Sequence, residues 1–291
     1  MSDSDINHIN MRIIIYFCAI MYLMREYYSM EKKEKMIFIY KNAKRYLKNI
    51  CPNEITEEEL SKYFNIKKNF KTKKDILYRL LFSLQNRQMS KNVIGLGKKE
   101  RLEIFKSILF DFDSEEILKN YNEELLLEKF SKYFTINNIE SKNNLWKLYS
   151  KSVISASIFI NKFENAEDFN NFVNRFNYNE MSVAALPMLL EKEIIGLGFP
   201  LACDFLKELG FSEYPKPDVH IKDIFVAFDL CENNDYSAYK AVIEMANVVK
   251  DTPYNVDKIF WLISSGSFYL HNINISRHKE KFINIIFDKL N

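Results

Sequence analysis

Ile194 to Ile221 reads IIGLGFPLACDFLKELGFSEYPKPDVHI, and the organisation of the whole chain follows from this stretch. Leu186 to Ile194, just before and into it, has helical spacing of apolar residues. Ile195-Gly196-Leu197-Gly198 then alternates apolar residues with glycines. Glycine reaches backbone angles that a Cβ forbids, so the pattern predicts a sharp turn. Phe199 to Leu209 returns to helical spacing, and Gly210 is a good C-terminal cap. The reading is helix, hairpin, helix. The amides of such a hairpin, with the N-terminus of its second helix, form an anion site suited to a phosphate. Leu197 is expected to tuck back between the helices and set their angle. Ile195, Gly196, Leu197, Gly198 and Phe199 are therefore the candidate phosphate contacts.

Beyond the second helix, Tyr214-Pro215-Lys216-Pro217 is stiff and extended, and Asp218 then opens a helix from Val219 to Leu230. A carboxylate is favoured at that place by the helix dipole and serves as an N-cap. A capped carboxylate is also a preorganised one. Fixed at the mouth of a cleft, it would stabilise an oxocarbenium-like sugar or activate a water. His220 reads as a packed or solvent-facing histidine, with a nucleic-acid contact as the sharper alternative. Lys216 and Lys222 flank Asp218 and read as phosphate contacts.

Taken together, these residues resemble the helix-hairpin-helix motif, Gly/Pro-rich loop and aspartate of the base-excision DNA glycosylases. Gly196, Gly198, Ala202, Asp218 and His220 fall on matching positions. The resemblance implies an enzyme that flips a damaged or modified base out of duplex DNA and hydrolyses its N-glycosidic bond. Asp218 would be the catalytic carboxylate, and Gly196 and Gly198 would bind phosphate, with a monovalent cation at the hairpin. Members that also nick the strand carry a lysine two residues past the second glycine, where this chain has Pro200. A monofunctional enzyme without AP-lyase activity is therefore expected. The four-cysteine cluster of some relatives is absent, so no iron–sulfur cluster and no other metal is expected. Leu80 to Gln88, LLFSLQNRQ, resembles the family's helix that ends in a residue wedged into the gap left by the flipped base. Gln85 or Asn86 would be that wedge, with Arg87 beside it.

The rest of the chain supports a helical frame. Among 291 residues 47% are hydrophobic, enough for a sizeable core, while only 6 Gly and 6 Pro disfavour a turn-rich β fold. Helical spacing recurs over Ile37–Ile50, Lys73–Met89, Arg101–Phe110, Ser114–Lys119, Glu123–Tyr133, Asn143–Phe163 and Ala166–Phe176, then over 236–249, 256–264 and 278–290. Thr56 with Glu59 predicts a capping box. The expected fold is all-α, two helical lobes with a DNA-binding cleft between them, over residues 30–291, the hairpin and catalytic loop lying at 186–230.

Residues 1–29 read as a separate apolar segment. Its run Ile13 to Met24 falls short of the ~20 residues a membrane span needs, so no membrane is expected. Net charge is only +2, but Lys62, Lys67, Lys68, Lys71, Lys73, Lys74, Arg79, Arg87, Lys91, Lys98, Lys99 and Arg101 crowd one segment. Such a patch attracts a phosphate backbone, or is simply a solvated face. Gly95-Leu96-Gly97-Lys98 lacks phosphate-loop spacing and reads as a turn. Four widely spaced cysteines suit a reducing cytoplasm, and the glycosylase resemblance implies a nucleoid-associated protein there. Double-stranded DNA is the expected partner and a monomer the expected state. Two other readings stay open: a non-catalytic DNA binder in which Asp218 only caps a helix, and a helical interaction protein tethered through residues 13–24.

Overall fold

A computed structural model describes residues 31–87 and 91–290. The apolar run 13–24 and Cys18 lie outside the described residues, as do Gln88 and Met89. The described chain is all-α, apart from two antiparallel two-residue strands, Ser267–Phe268 and Ile273–Asn274, with Ser267 opposite Asn274. In chain order the helices are α1 (31–50), α2 (Glu57–Ser61), α3 (Lys73–Leu84), α4 (Lys91–Ile94), α5 (Lys99–Ile108), α6 (Ser114–Asn120), α7 (Glu123–Ser131) and α8 (Leu145–Ile160). They continue as α9 (Ala166–Asn174), α10 (Glu180–Glu193), α11 (Phe199–Glu208), α12 (Val219–Ala227), α13 (Asp235–Val249), α14 (Pro253–Ser265) and α15 (Lys279–Leu290).

Side-chain caps decide where many of these helices start. Thr56 and Glu59 form the expected capping box, and Thr72 with Asp75 forms a second at α3. Asp113, Asn122, Asn144, Asn165, Asn179, Asp218, Asn234 and Thr252 cap eight more helices. Each cap satisfies amides that the helix itself leaves bare. Helix α3 is shorter than its periodicity predicts. It stops at Leu84, and the next residue, Gln85, turns its side chain inward, where Oε1 accepts the Leu96 N–H at 2.9 Å.

Two hydrophobic cores divide the molecule. One holds Ile76 to Tyr214, and the hairpin residues Ile194, Leu197 and Phe199 belong to it. The other is built from both ends of the described chain, Met36 to Tyr63 and Ile221 to Ile286. Helix α13 serves both: Tyr239 and Ile243 face the first core, Ala241, Val242 and Met245 the second. The chain crosses between cores over 65–72 and again over 214–220. The first crossing lies against the end of α11, Asn69 bonding through its N–H to Leu209 and through its Nδ2 to Glu208, both at carbonyls. Gly210 has φ +103°, and a Cβ there would run into the Lys67 carbonyl. The expected two lobes are thus present as two cores. The hairpin and the 73–101 segment, however, share one core, while Asp218 stands where the chain enters the other.

Candidate functional site

Pro187 lies inside α10, and the hairpin follows that helix. Gly196 takes φ +85°, and a Cβ there would lie 2.8 Å from Ser152 Oγ and 3.0 Å from an Arg87 guanidinium nitrogen. Glycine is required at that position on two counts. Gly198 differs. Its φ is an ordinary −69°, and a Cβ there would meet nothing within 4 Å. Leu197 is buried, as expected, whereas Ile195 is half exposed and its N–H donates to Ser155 Oγ at 3.0 Å. The Gly196 and Gly198 amides bond to no other group among the described residues. Pro200 occupies the first turn of α11, where its missing N–H costs nothing.

Asn86 and Arg87 line the same cleft as Gly196, Leu197, Gly198 and Leu201, a space of about 410 Å³ with Glu191 at its edge. The structure therefore joins two segments that lie about a hundred residues apart in sequence. Gln85 does not take part: it is 2% exposed and spends its carbonyl on Leu96. That corrects Gln85 as a wedge, since an inserting side chain must project from the surface. The Ile195, Gly196 and Leu197 carbonyls accept no hydrogen bond among the described residues. They are neutral oxygen donors of the kind a monovalent ion takes.

Asp218 caps α12. One oxygen, Oδ1, accepts the His220 N–H at 2.9 Å and the Ile221 N–H at 3.3 Å. Oδ2 accepts nothing among the described residues. Burial, and then the charge of Asp257, push the carboxyl above its ordinary range, against the pull of Lys216, Lys207 and His220. His220 is pushed down by burial, and its Nδ1 lies 3.1 Å from Ser264 Oγ. Val219 between them is exposed.

A buried charged network supports this corner. Asp204 accepts from Arg79 (2.8 Å), Ser83 Oγ (2.8 Å) and Lys216 Nζ (3.1 Å). Burial raises the Asp204 carboxyl, but Lys216, Arg79 and Lys207 outweigh it and hold the group well below the usual carboxylate range. Lys207 donates to Asp257 Oδ2 at 2.8 Å, an ion pair buried on both sides. Lys216 and Lys222 are not open cations: Lys216 is paired with Asp204, and Lys222 with Asp235 at 2.6 Å. Part of the basic run is likewise engaged within the fold. Lys73 pairs with Glu115, Lys74 with Asp113 and Arg79 with Asp204, while Arg101 donates to the Val93 and Ile94 carbonyls. Asp204, Lys207 and Asp257 escaped the reading of the sequence. For Asp204 and Lys207 the available signal was a charged pair three residues apart on the mostly apolar helix FPLACDFLKE.

No family model matches the chain, and no curated protein matches it. Two solved structures are similar to it. One is an 8-oxoguanine DNA glycosylase of Methanocaldococcus jannaschii, with 16% identity, 83% of this chain and 96% of that chain covered, and a TM-score of 0.45. The other is the 8-oxoguanine glycosylase/lyase of the same organism in complex with a 15mer DNA containing 8-oxoguanine, with 16% identity, 77% and 95% covered, and a TM-score of 0.45.

Proposed function

We propose that this chain is a DNA glycosylase that takes an altered base out of duplex DNA and hydrolyses its N-glycosidic bond. The observation that carries the reading is the pairing of two features across one junction. The hairpin presents unused amides beside an open Gly198, and a fixed carboxylate with one oxygen uncommitted stands where the chain passes to the second core. The hairpin amides would hold the phosphate backbone without reading sequence. Asn86 and Arg87 would fill the space left by the extruded nucleotide, which enters between the cores. As the bond breaks, its electron pair leaves with the base, which takes up a proton. Asp218 faces the positive charge that develops on the sugar and accepts the proton of the water that adds to C1′. A cation held on the hairpin carbonyls would add charge against a phosphate.

Strand nicking through a Schiff base needs an uncharged lysine at the sugar. Pro200 supplies none, and Lys216 and Lys222 are each engaged in an ion pair with a carboxylate. Both features support a monofunctional enzyme. The test is a panel of duplexes, each with one altered base (8-oxoguanine among them), incubated with wild type or Asp218→Asn and then treated with alkali. Release by wild type and not by the variant is expected. Cleavage without alkali would overturn the monofunctional assignment. Retained DNA binding with no release from any duplex would favour the non-catalytic binder.

A further inference from the structure

Asp257 is 1% exposed on α14, in the second core's helix layer, and its two oxygens differ in their surroundings. Oδ2 accepts the Lys207 ammonium and the Lys216 backbone N–H, both at 2.8 Å. Oδ1 is buried without a partner. The Lys216 carbonyl in turn accepts the Asp218 N–H at 2.8 Å, and the Lys216 ammonium reaches Asp204. Lys216 is thus held at three points, one of them Asp257, and the turn Lys216–Pro217–Asp218 cannot shift unless those bonds break. A buried ion pair is a poor way to stabilise a core, since apolar side chains of similar volume do as well. A buried carboxylate oxygen left bare is worse. The arrangement is understandable if the charge acts on something nearby.

We infer that Asp257 is a positioning residue for Asp218: it anchors the Lys216–Pro217–Asp218 turn from the far core and sets the electrostatic field at the Asp218 carboxylate. This rests on the glycosylase reading for its consequence, though not for its measurement. The groups facing Asp218 are Asp257 from α14, Lys207 from α11, Lys216 from the crossing segment and His220 from α12 itself. Of these only Asp257 is negative, so its charge makes Asp218 a stronger proton acceptor. Anchoring and field are separable. Asp257→Asn keeps an oxygen for the Lys216 N–H and removes the charge; Asp257→Ala removes both.

The experiment has two readouts on the full chain. The first is a carboxyl-carbon NMR titration of Asp218, assigned by its loss in Asp218→Asn. The Asp218 midpoint is expected to fall by about half a pH unit or more in Asp257→Asn. An unmoved midpoint overturns the inference whether or not the protein is an enzyme. The second is the pH profile of single-turnover base release. Asp257→Asn should move the acid limb to lower pH and keep the plateau within about threefold, while Asp257→Ala should lose the plateau about tenfold or more with DNA affinity nearly unchanged. Loss of activity that only tracks loss of folded protein, with the acid limb unmoved, would make Asp257 purely structural and overturn the inference. If Asp257→Asn alone fails to fold because Lys207 is left unpaired, Lys207→Met/Asp257→Asn also removes the pull of Lys207 and should show a smaller fall of the Asp218 midpoint, since Asp257 outweighs Lys207 there; no fall overturns the inference. If wild type releases no base while the NMR midpoint still moves, the enzymatic reading fails and the coupling stands.

Discussion

At the scale of single residues, Asp218 holds two roles that pull apart. As a cap it is replaceable, because asparagine caps a helix about as well. As the charge that the proposed mechanism uses, it would not be. Asp218→Asn should keep the circular-dichroism spectrum and lower the single-turnover rate of base release by about 10²–10⁴-fold. An unchanged rate would remove Asp218 from the chemistry. Its raised pKa fixes the sign of its effect on stability. The unfolded chain releases this proton at lower pH than the folded one does. Asp218 therefore favours the fold most below the ordinary carboxylate pKa and least above its own raised value. At neutral pH, Asp218→Asn is expected to melt no lower than wild type, the usual relation between a functional charge and stability.

Lys258 gives a second residue-scale prediction. It is buried, and burial followed by the charge of Lys207 pushes it down to about 8. The Tyr254, Trp261 and Tyr269 rings lie about its ammonium at 5.2, 5.4 and 4.9 Å, and Tyr269 Oη accepts from it at 3.1 Å. Between about pH 8 and 10.5 the unfolded chain holds this proton and the folded one does not, so stability rises with pH across that window. The rings recover part of the cost through cation–π attraction. Lys258→Met should raise stability at pH 7 by about 1–3 kcal/mol and abolish the rise, as measured by urea melts at pH 7 and 10.

At the scale of elements, the two hairpin glycines divide their labour. Gly196→Ala forces a Cβ into a positive-φ site already lined by Ser152 and Arg87. It should cost about 1–3 kcal/mol and weaken DNA binding with it. Gly198→Asp meets no obstruction and places a better cap at α11. It should leave the melting temperature level or higher while lowering DNA affinity about tenfold or more, because an anion then sits where the proposed function puts the phosphate. Equal affinity for wild type and Gly198→Asp would mean that the hairpin does not meet the backbone. Helix α3 adds the opposite lesson. Its periodicity runs on past Leu84, yet the helix stops there, and the Gln85 side chain beyond it is buried on the Leu96 N–H.

At the scale of the whole molecule, part of the basic run is tied up within the fold. Twelve cations crowd residues 62–101, but several answer carboxylates or carbonyls within the fold. The logarithm of DNA affinity should therefore fall with log salt at a slope between about −3 and −5, as few phosphates are neutralised. A slope steeper than about −8 would show that the run acts as one exposed patch. The two cores meet through the Lys207–Asp257 pair and the Asp204 network. Charge, rather than apolar area alone, thus sets the geometry around the carboxylate.

Local chemistry was legible in the chain before folding. Apolar spacing marked most helices, Thr56 with Glu59 marked a capping box, and the glycines of 195–198 marked the hairpin, since each depends on neighbours within a few residues. Asp218 could be singled out because a helix start and two prolines are local too. The tertiary structure alone decided the rest. It brought Asn86 and Arg87 against Gly196, turned Gln85 inward, and gave Lys216 and Lys222 their carboxylate partners. It also placed Asp257 behind Asp218. These pairings reach beyond local neighbours, and the bond from Arg79 to Asp204 beside them spans 125 positions. A side chain's charge, exposure and partner at such range depend on how the two cores close on one another, and no spacing along the chain encodes that.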